Sequence, residues 1–192
     1  WILGPELLAF EQSFATHLGR RHAIGVGNGL DALTLALQVS GIGPGDEVLV
    51  PAHTFIATWL AVRQCGAIPR AVEPADGSYC IDAAGVAAAI SPATRAVLPV
   101  HLYGQPADPS AMRALCAERG LLMIEDAAQA HGARHQGEAV GGFGRLACYS
   151  FYPGKNLGAF GDAGAVVTDD DALAEALRAR RNYGSHTRYA HD

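Results

Sequence analysis

No stretch of the 192-residue sequence approaches the roughly 18–20 apolar residues needed to cross a membrane, and nothing at its N-terminus resembles a signal peptide. Runs of lysine or arginine are missing too, and the formal net charge is −5, so nucleic acid would find no basic footprint. Cysteine is sparse: Cys65, Cys80, Cys116 and Cys148 stand far apart with no Cys-x-x-Cys spacing. This argues against a zinc site or a disulfide framework, and for reduced thiols in a cytoplasmic protein. Without internal repeats, low-complexity segments or linkers, a single domain is the economical reading. An initiator methionine is also lacking. The chain starts at Trp1 and stops at His191-Asp192 just past a helical segment, so a fragment of a longer protein is expected. What is present is ordinary for a soluble globular protein, with 49% apolar and 17% charged residues, plus 23 glycines that imply many tight turns.

Short β-branched runs alternate with alanine-rich helical segments, which predicts an α/β fold with a mainly parallel sheet. Helices are expected at 5–18, 31–39, 54–65, 82–90, 109–119 and 170–183. Strands are expected at 23–26, 47–50, 67–72, 96–100, 121–126, 146–151 and 163–167. The loop between the last two strands is too short for a crossover helix, so at least one antiparallel pair is implied.

Four features carry chemistry. Asp126 ends an all-apolar strand, where open α/β sheets place ligand-contacting groups, although a helix cap or an arginine partner explains such a carboxylate equally. Lys155 follows the Pro153-Gly154 break after a strand. It reads as a solvated loop lysine or as an amine nucleophile, and Ser150 five residues earlier offers a hydroxyl to a phosphate. Gly27-Asn28-Gly29-Leu30-Asp31 is a strand-to-helix turn whose free N–H groups suit an anion, or a turn kept small for packing. Phe55, just past another strand end, either stacks on a planar group or fills the core. Taken together they describe one ligand: phosphate on the Gly29 turn and Ser150, a flat ring on Phe55, a protonated ring nitrogen at Asp126, and an aldehyde carbon on Lys155. That ligand is pyridoxal 5′-phosphate.

Five segments carry a resemblance to the DegT/DnrJ/EryC1/StrS family of sugar aminotransferases. They are Trp1-Ile2-Leu3-Gly4-Pro5-Glu6, Gly43-Pro44-Gly45-Asp46-Glu47-Val48, Val100-His101-Leu102-Tyr103-Gly104-Gln105, Glu125-Asp126-Ala127-Ala128-Gln129-Ala130-His131-Gly132 and Gly154-Lys155-Asn156-Leu157-Gly158. The resemblance implies the type I aminotransferase fold of a pyridoxal-phosphate enzyme, here a seven-stranded-type sheet with helices on both faces. It implies transfer of an amino group from glutamate to a nucleotide-linked keto-sugar. The 28–33 turn and the Arg181–Ser185 tail look most like members acting at C3 of dTDP-linked 3-keto-6-deoxy sugars. By the same resemblance Lys155 carries the cofactor as a Schiff base, Asp126 pairs with its ring nitrogen and Gln129 lies near its phenolic oxygen. Phe55 stacks on the ring, while Ser150 with the backbone of Gly29 and Leu30 holds the phosphate. No metal is expected. The family's C-terminal small domain is expected to be missing from residues 1–192, and with it a segment that reaches across a homodimer to the partner's phosphate. Three rivals stand beside this reading. A sugar dehydratase of the same fold replaces the lysine by histidine, so Lys155 argues against it. A non-catalytic regulatory protein has no need of the intact Lys155, Asp126 and Ser150. A nicotinamide enzyme lacks support, because the 27–30 turn has no Gly-x-Gly-x-x-Gly spacing.

Overall fold

The computed structural model describes residues 3–185; Trp1 and Ile2 of the opening motif, and the terminal His191-Asp192, lie outside them. Helix α1 (Pro5–Leu18) leads through strand β1 (His22–Val26) into α2 (Gly29–Val39). Then follow β2 (Glu47–Pro51), α3 (Ile56–Gln64), β3 (Ile68–Val72), α4 (Ala83–Ala89), β4 (Thr94–Val97), α5 (Pro109–Arg119) and β5 (Leu122–Asp126). A two-residue hairpin, β6 (Arg134–His135) and β7 (Glu138–Ala139), precedes β8 (Leu146–Ser150), β9 (Gly164–Thr168) and α6 (Asp171–Arg180).

Seven strands form one sheet in the order β1-β9-β8-β5-β4-β2-β3. Strands β3, β2, β4, β5 and β8 run parallel to one another, and β9 pairs antiparallel with both β8 and β1. The antiparallel pair implied by the short 152–162 loop is therefore β8–β9, and β9 makes a second such pair with β1.

Both faces of the sheet are covered, and the side chains alternate between them as the pleat requires. Ile24, Val48, Val50, Ile124, Leu146 and Val166 point to a core shared with α2, α3 and α6. Ala23, Leu49, Met123, Ala147, Tyr149 and Val167 point to the opposite core, with Phe14, Leu18, Val86, Met112 and Cys116 from α1, α4 and α5. Helix ends follow local chemistry. Asn28 caps α2 by accepting from Asp31 N at 2.8 Å, Asp82 caps α4, Asp170 caps α6, and Gly19 and Gly120 end α1 and α5 in the left-handed region.

Several expected boundaries shift. Helix α2 begins at Gly29 rather than Asp31, and α3 at Ile56 rather than Thr54. The regular ladder of β4 stops at Val97, with Val100 joined only by a single bridge to Asp126. Pro99, which has no N–H, lies between them. No helix among the described residues is long and apolar enough to cross a membrane.

Candidate active site

The C-terminal ends of β2, β5 and β8 and the N-terminus of α2 open onto one cavity of about 630 Å³. Open parallel sheets bind ligands in this position, because the strand ends and following loops are free to carry polar groups. Gly29, Leu30, Phe55, Asp126, Gln129, Ser150 and Lys155 all line it.

Asp126 is 5% exposed and stands at the end of β5, turned toward α3. Thr58 Oγ1 donates to its Oδ2 at 2.9 Å, and Ala128 N donates to Oδ1 at 3.1 Å. Thr54 and Thr58 share a further hydroxyl contact at 2.9 Å, which extends the chain of donors. Burial pushes the Asp126 carboxyl above its ordinary range, against those hydrogen bonds and the positive charge of Lys155. The carboxylate is buried with a donor on each oxygen and faces the cavity that Lys155 also lines.

Glu125, the neighbour of Asp126, points through the sheet to the other side. Its carboxylate accepts from Gly141 N, Phe143 N and Gly144 N at 2.9, 2.8 and 2.6 Å, and meets His101 Nε2 at 2.9 Å. Because Ala107 N donates to His101 Nδ1 at 3.0 Å, that nitrogen holds a lone pair and Nε2 carries the proton. The pair buries one charge with four donors around it, which anchors the end of β5 that carries Asp126.

The α2 turn is packed closely against β8 and β9. A Cβ on Gly29 would lie 2.7 Å from Ser150 Cβ, and one on Gly164 would lie 2.3 Å from the Asn28 carbonyl oxygen. Only glycine lets the backbone of 28–29 pass over the start of β9 and settle on the end of β8. The Gly29 and Leu30 N–H groups at the start of α2 thereby stand beside the Ser150 hydroxyl, a cradle of the type that holds phosphate.

Phe55 holds the residue position just before α3 in extended backbone, and its ring is 67% exposed at the cavity. Had the helix begun at Thr54, Phe55 would have lain within its first turn. Lys155 stands in a turn closed by its own N–H on the Tyr152 carbonyl at 2.8 Å. Behind it, the His131 ring sits 5.2 Å from the Tyr149 ring and 5.4 Å from Phe151, and burial pushes it toward its neutral form.

Two residues of the site carry no sequence signal of their own. Thr58 is completely buried beneath Asp126, yet a threonine in an apolar helix reads as an ordinary core residue. Tyr103 takes a left-handed backbone (φ 56°, ψ 21°) and lines a second hollow together with Gln129, Gly154, Lys155 and Asn156. Its place within the Val100–Gln105 motif was the only pointer.

A buried carboxylate, an amine lining the same cavity, a cradle of backbone N–H groups too tight for a Cβ, and an exposed aromatic residue suit pyridoxal phosphate in charge and shape. With this sheet order the fold is the mainly parallel α/β fold of pyridoxal-phosphate-dependent aminotransferases. The chain belongs to the DegT/DnrJ/EryC1/StrS aminotransferase family, whose model matches residues 1–192.

Relatives are similar over the whole chain. The dTDP-3-amino-3,4,6-trideoxy-alpha-D-glucose transaminase of Streptomyces venezuelae is 57% identical over 192 residues, covering 100% of this chain and 51% of that protein. The erythromycin biosynthesis sensory transduction protein EryC1 of Saccharopolyspora erythraea is 57% identical over 193 residues, 100% of this chain and 53% of its own. The crystal structure of S. venezuelae DesV in complex with a ketimine intermediate superposes with a TM-score of 0.96 at 58% identity, covering 99% of this chain and 51% of that one. The chain thus spans about half the length of the curated relatives it matches.

Proposed function

We propose that the protein transfers an amino group from glutamate to a nucleotide-linked keto-sugar, a dTDP-3-keto-6-deoxyhexose, with pyridoxal phosphate bound in the cavity between β5, β8 and α2. The observation that carries this reading is the buried Asp126 facing the same cavity as the Lys155 amine. The dTDP-amino-sugar name of the 57%-identical Streptomyces venezuelae relative supports the substrate class. In net terms the ketone oxygen of the sugar is exchanged for the amino group of glutamate, which leaves as 2-oxoglutarate.

The bound cofactor supplies a protonated ring that accepts the electron pair released when the Cα–H bond of the amino donor breaks. Asp126 keeps the proton on the ring nitrogen, helped by Thr58 and the Ala128 N–H, which hold the carboxylate charged and aimed. Lys155 Nζ would hold the cofactor's carbonyl carbon and, once free, would be the base that moves the donor's Cα proton. Ser150 Oγ with the Gly29 and Leu30 N–H groups holds the phosphate, Phe55 covers the ring, and Gln129 places its amide by the phenolic oxygen.

We further read residues 1–192 as the cofactor-binding domain, with the remaining length of the relatives supplying a smaller C-terminal domain. The protein is read as a cytoplasmic homodimer whose partner completes the phosphate site. Leu157 and Phe160, exposed on the loop after Lys155, support an apolar contact at that edge. A sugar dehydratase is disfavoured by a lysine at 155. A purely regulatory role, suggested by the name of the Saccharopolyspora relative, is disfavoured by the intact Lys155, Asp126 and Ser150.

The test is spectroscopic and then enzymatic. Adding pyridoxal phosphate to the full-length protein should raise a visible band that Lys155→Ala abolishes together with turnover. Glutamate should then aminate one member of a panel of dTDP- and UDP-keto-sugars. A band that survives Lys155→Ala would falsify the lysine assignment, and inactivity across the panel would refute the substrate class.

A further inference from the structure

We infer that Tyr103 is a positioning residue for the cofactor site: its left-handed backbone turn fixes the Gln129 side-chain amide with the NH2 group facing the cavity. The inference rests on the reading that Gln129 lies by the cofactor's phenolic oxygen.

The segment before Tyr103 is tied to the strand end that carries Asp126. Asp126 N donates to the Pro99 carbonyl at 2.9 Å, and His101 N donates to the Asp126 carbonyl at 3.0 Å. Two residues later Tyr103 and Gly104 take positive φ values of 56° and 82°, which folds the loop back over the end of β5. A tyrosine in this region is uncommon and is retained where surrounding structure holds it, often at a functional site. Here its N–H donates to Gln129 Oε1 at 2.9 Å.

A backbone N–H only donates, so the side-chain atom it meets is the amide oxygen, and Nε2 with its two protons takes the other direction. Gln129 lines both the main cavity and the hollow it shares with Lys155, so an NH2 turned away from Tyr103 N has ligand space beside it. The amide therefore acts there as a donor, which favours an ionised phenolic oxygen. Tyr103's ring packs edge-on to Tyr79 at 5.1 Å beside the hollow that holds Lys155, so a variant that drops the ring but keeps the N–H separates the two contributions.

The experiment follows the pH at which the visible absorbance of the protein loaded with pyridoxal phosphate changes. The other ionisable groups lining the cavity, Asp126, Cys148, Tyr149, Tyr152, Lys155 and Asp162 with His131 behind Lys155, are the same in every variant, and the Tyr103 phenol is absent from both the proline and the glycine variant. Gln129→Glu accepts from Tyr103 but cannot donate when charged, and should move the midpoint up by about one pH unit or more. Tyr103→Pro removes the N–H and forces φ negative, and should move the midpoint the same way. Tyr103→Gly keeps the N–H and the left-handed turn, and should leave it at the wild-type value. If Tyr103→Pro fails to fold, replacing the Tyr103 amide by an ester through α-hydroxy-acid incorporation removes the donor alone and gives the same readout. An unmoved midpoint in the proline or ester variant, with Gln129→Glu shifted, overturns the role of Tyr103 and leaves that of Gln129 standing. An unmoved midpoint in Gln129→Glu overturns the Gln129 reading itself.

Discussion

Gly29→Ala puts a methyl group where Ser150 already sits. The added Cβ would lie 2.7 Å from Ser150 Cβ and 3.4 Å from Ser150 Cα. Relief to the 3.4 Å of an ordinary contact asks the start of α2 to retreat by about 0.7 Å. Neither neighbour is a flexible chain end, since Ser150 closes the fully buried strand β8. Overpacking of this kind costs about 1–3 kcal/mol, and the better helix propensity of alanine returns up to about 1 kcal/mol. The fold should therefore survive with a modest loss of stability. Ligand binding should suffer more, because a phosphate hydrogen bond stretched from about 2.9 to about 3.6 Å is no longer a bond. Losing one such bond to a charged group is worth about 1.5–3 kcal/mol, or about 10- to 150-fold in affinity. Titrating pyridoxal phosphate into wild type and variant, followed by the visible band, measures this, and thermal denaturation confirms the fold. Wild-type affinity in a folded Gly29→Ala protein would remove the phosphate from this turn.

Cofactor-free Asp126→Asn should gain stability on wild type as pH rises from about 4 to 8. Burial holds the Asp126 carboxyl above its ordinary range, so the stability its proton contributes is complete below that range and is lost as pH climbs through the raised value. Arg113 holds Glu138, Arg145 holds Asp170 and His22 holds Asp171 below their ordinary ranges, which acts in the opposite sense but equally in both proteins. Melting temperatures across this interval decide it, and a constant gap would count against a carboxyl held above its ordinary range by burial. Glu125→Gln sets an NH2 among groups that already donate, and should cost about 3 kcal/mol and lower the melting temperature by about 6–12 °C. A loss of only a degree or two in a thermal scan would show that the carboxylate is not the anchor of β5.

The sequence announced Asp126 because an apolar run ends on it, and Lys155 because Pro153-Gly154 breaks a strand just before it. Both signals are local, and the structure brings the two residues to one cavity. Thr58 stayed silent because its role depends on α3 lying under the end of β5, which no property of a nine-residue helix reveals. Glu125 read as part of the same acidic strand end as Asp126. Only the sheet separates the two, sending one to the crevice and the other to a shell of backbone donors. The β6–β7 hairpin escaped notice because two-residue strands have no alternation to read. Tyr103 shows the remaining limit: its motif was visible, but a left-handed tyrosine is a decision of tertiary structure, made against local preference.

Among the described residues strand β1 has one neighbour in the sheet, β9, with Val26 opposite Gly164 at a sequence separation of 138 (164 − 26). As the chain leaves the ribosome, β2 to β5 find partners among nearby crossovers while His22–Val26 waits, an unpaired strand open to wrong pairing. The turn that carries Gly29 follows β1 directly, so setting it against Ser150 closes a long loop and carries that loop's entropy. A ligand that bridges Gly29 and Ser150 binds only the closed arrangement. It therefore acts as a latch on folding, drawing the late-arriving first strand into register by mass action.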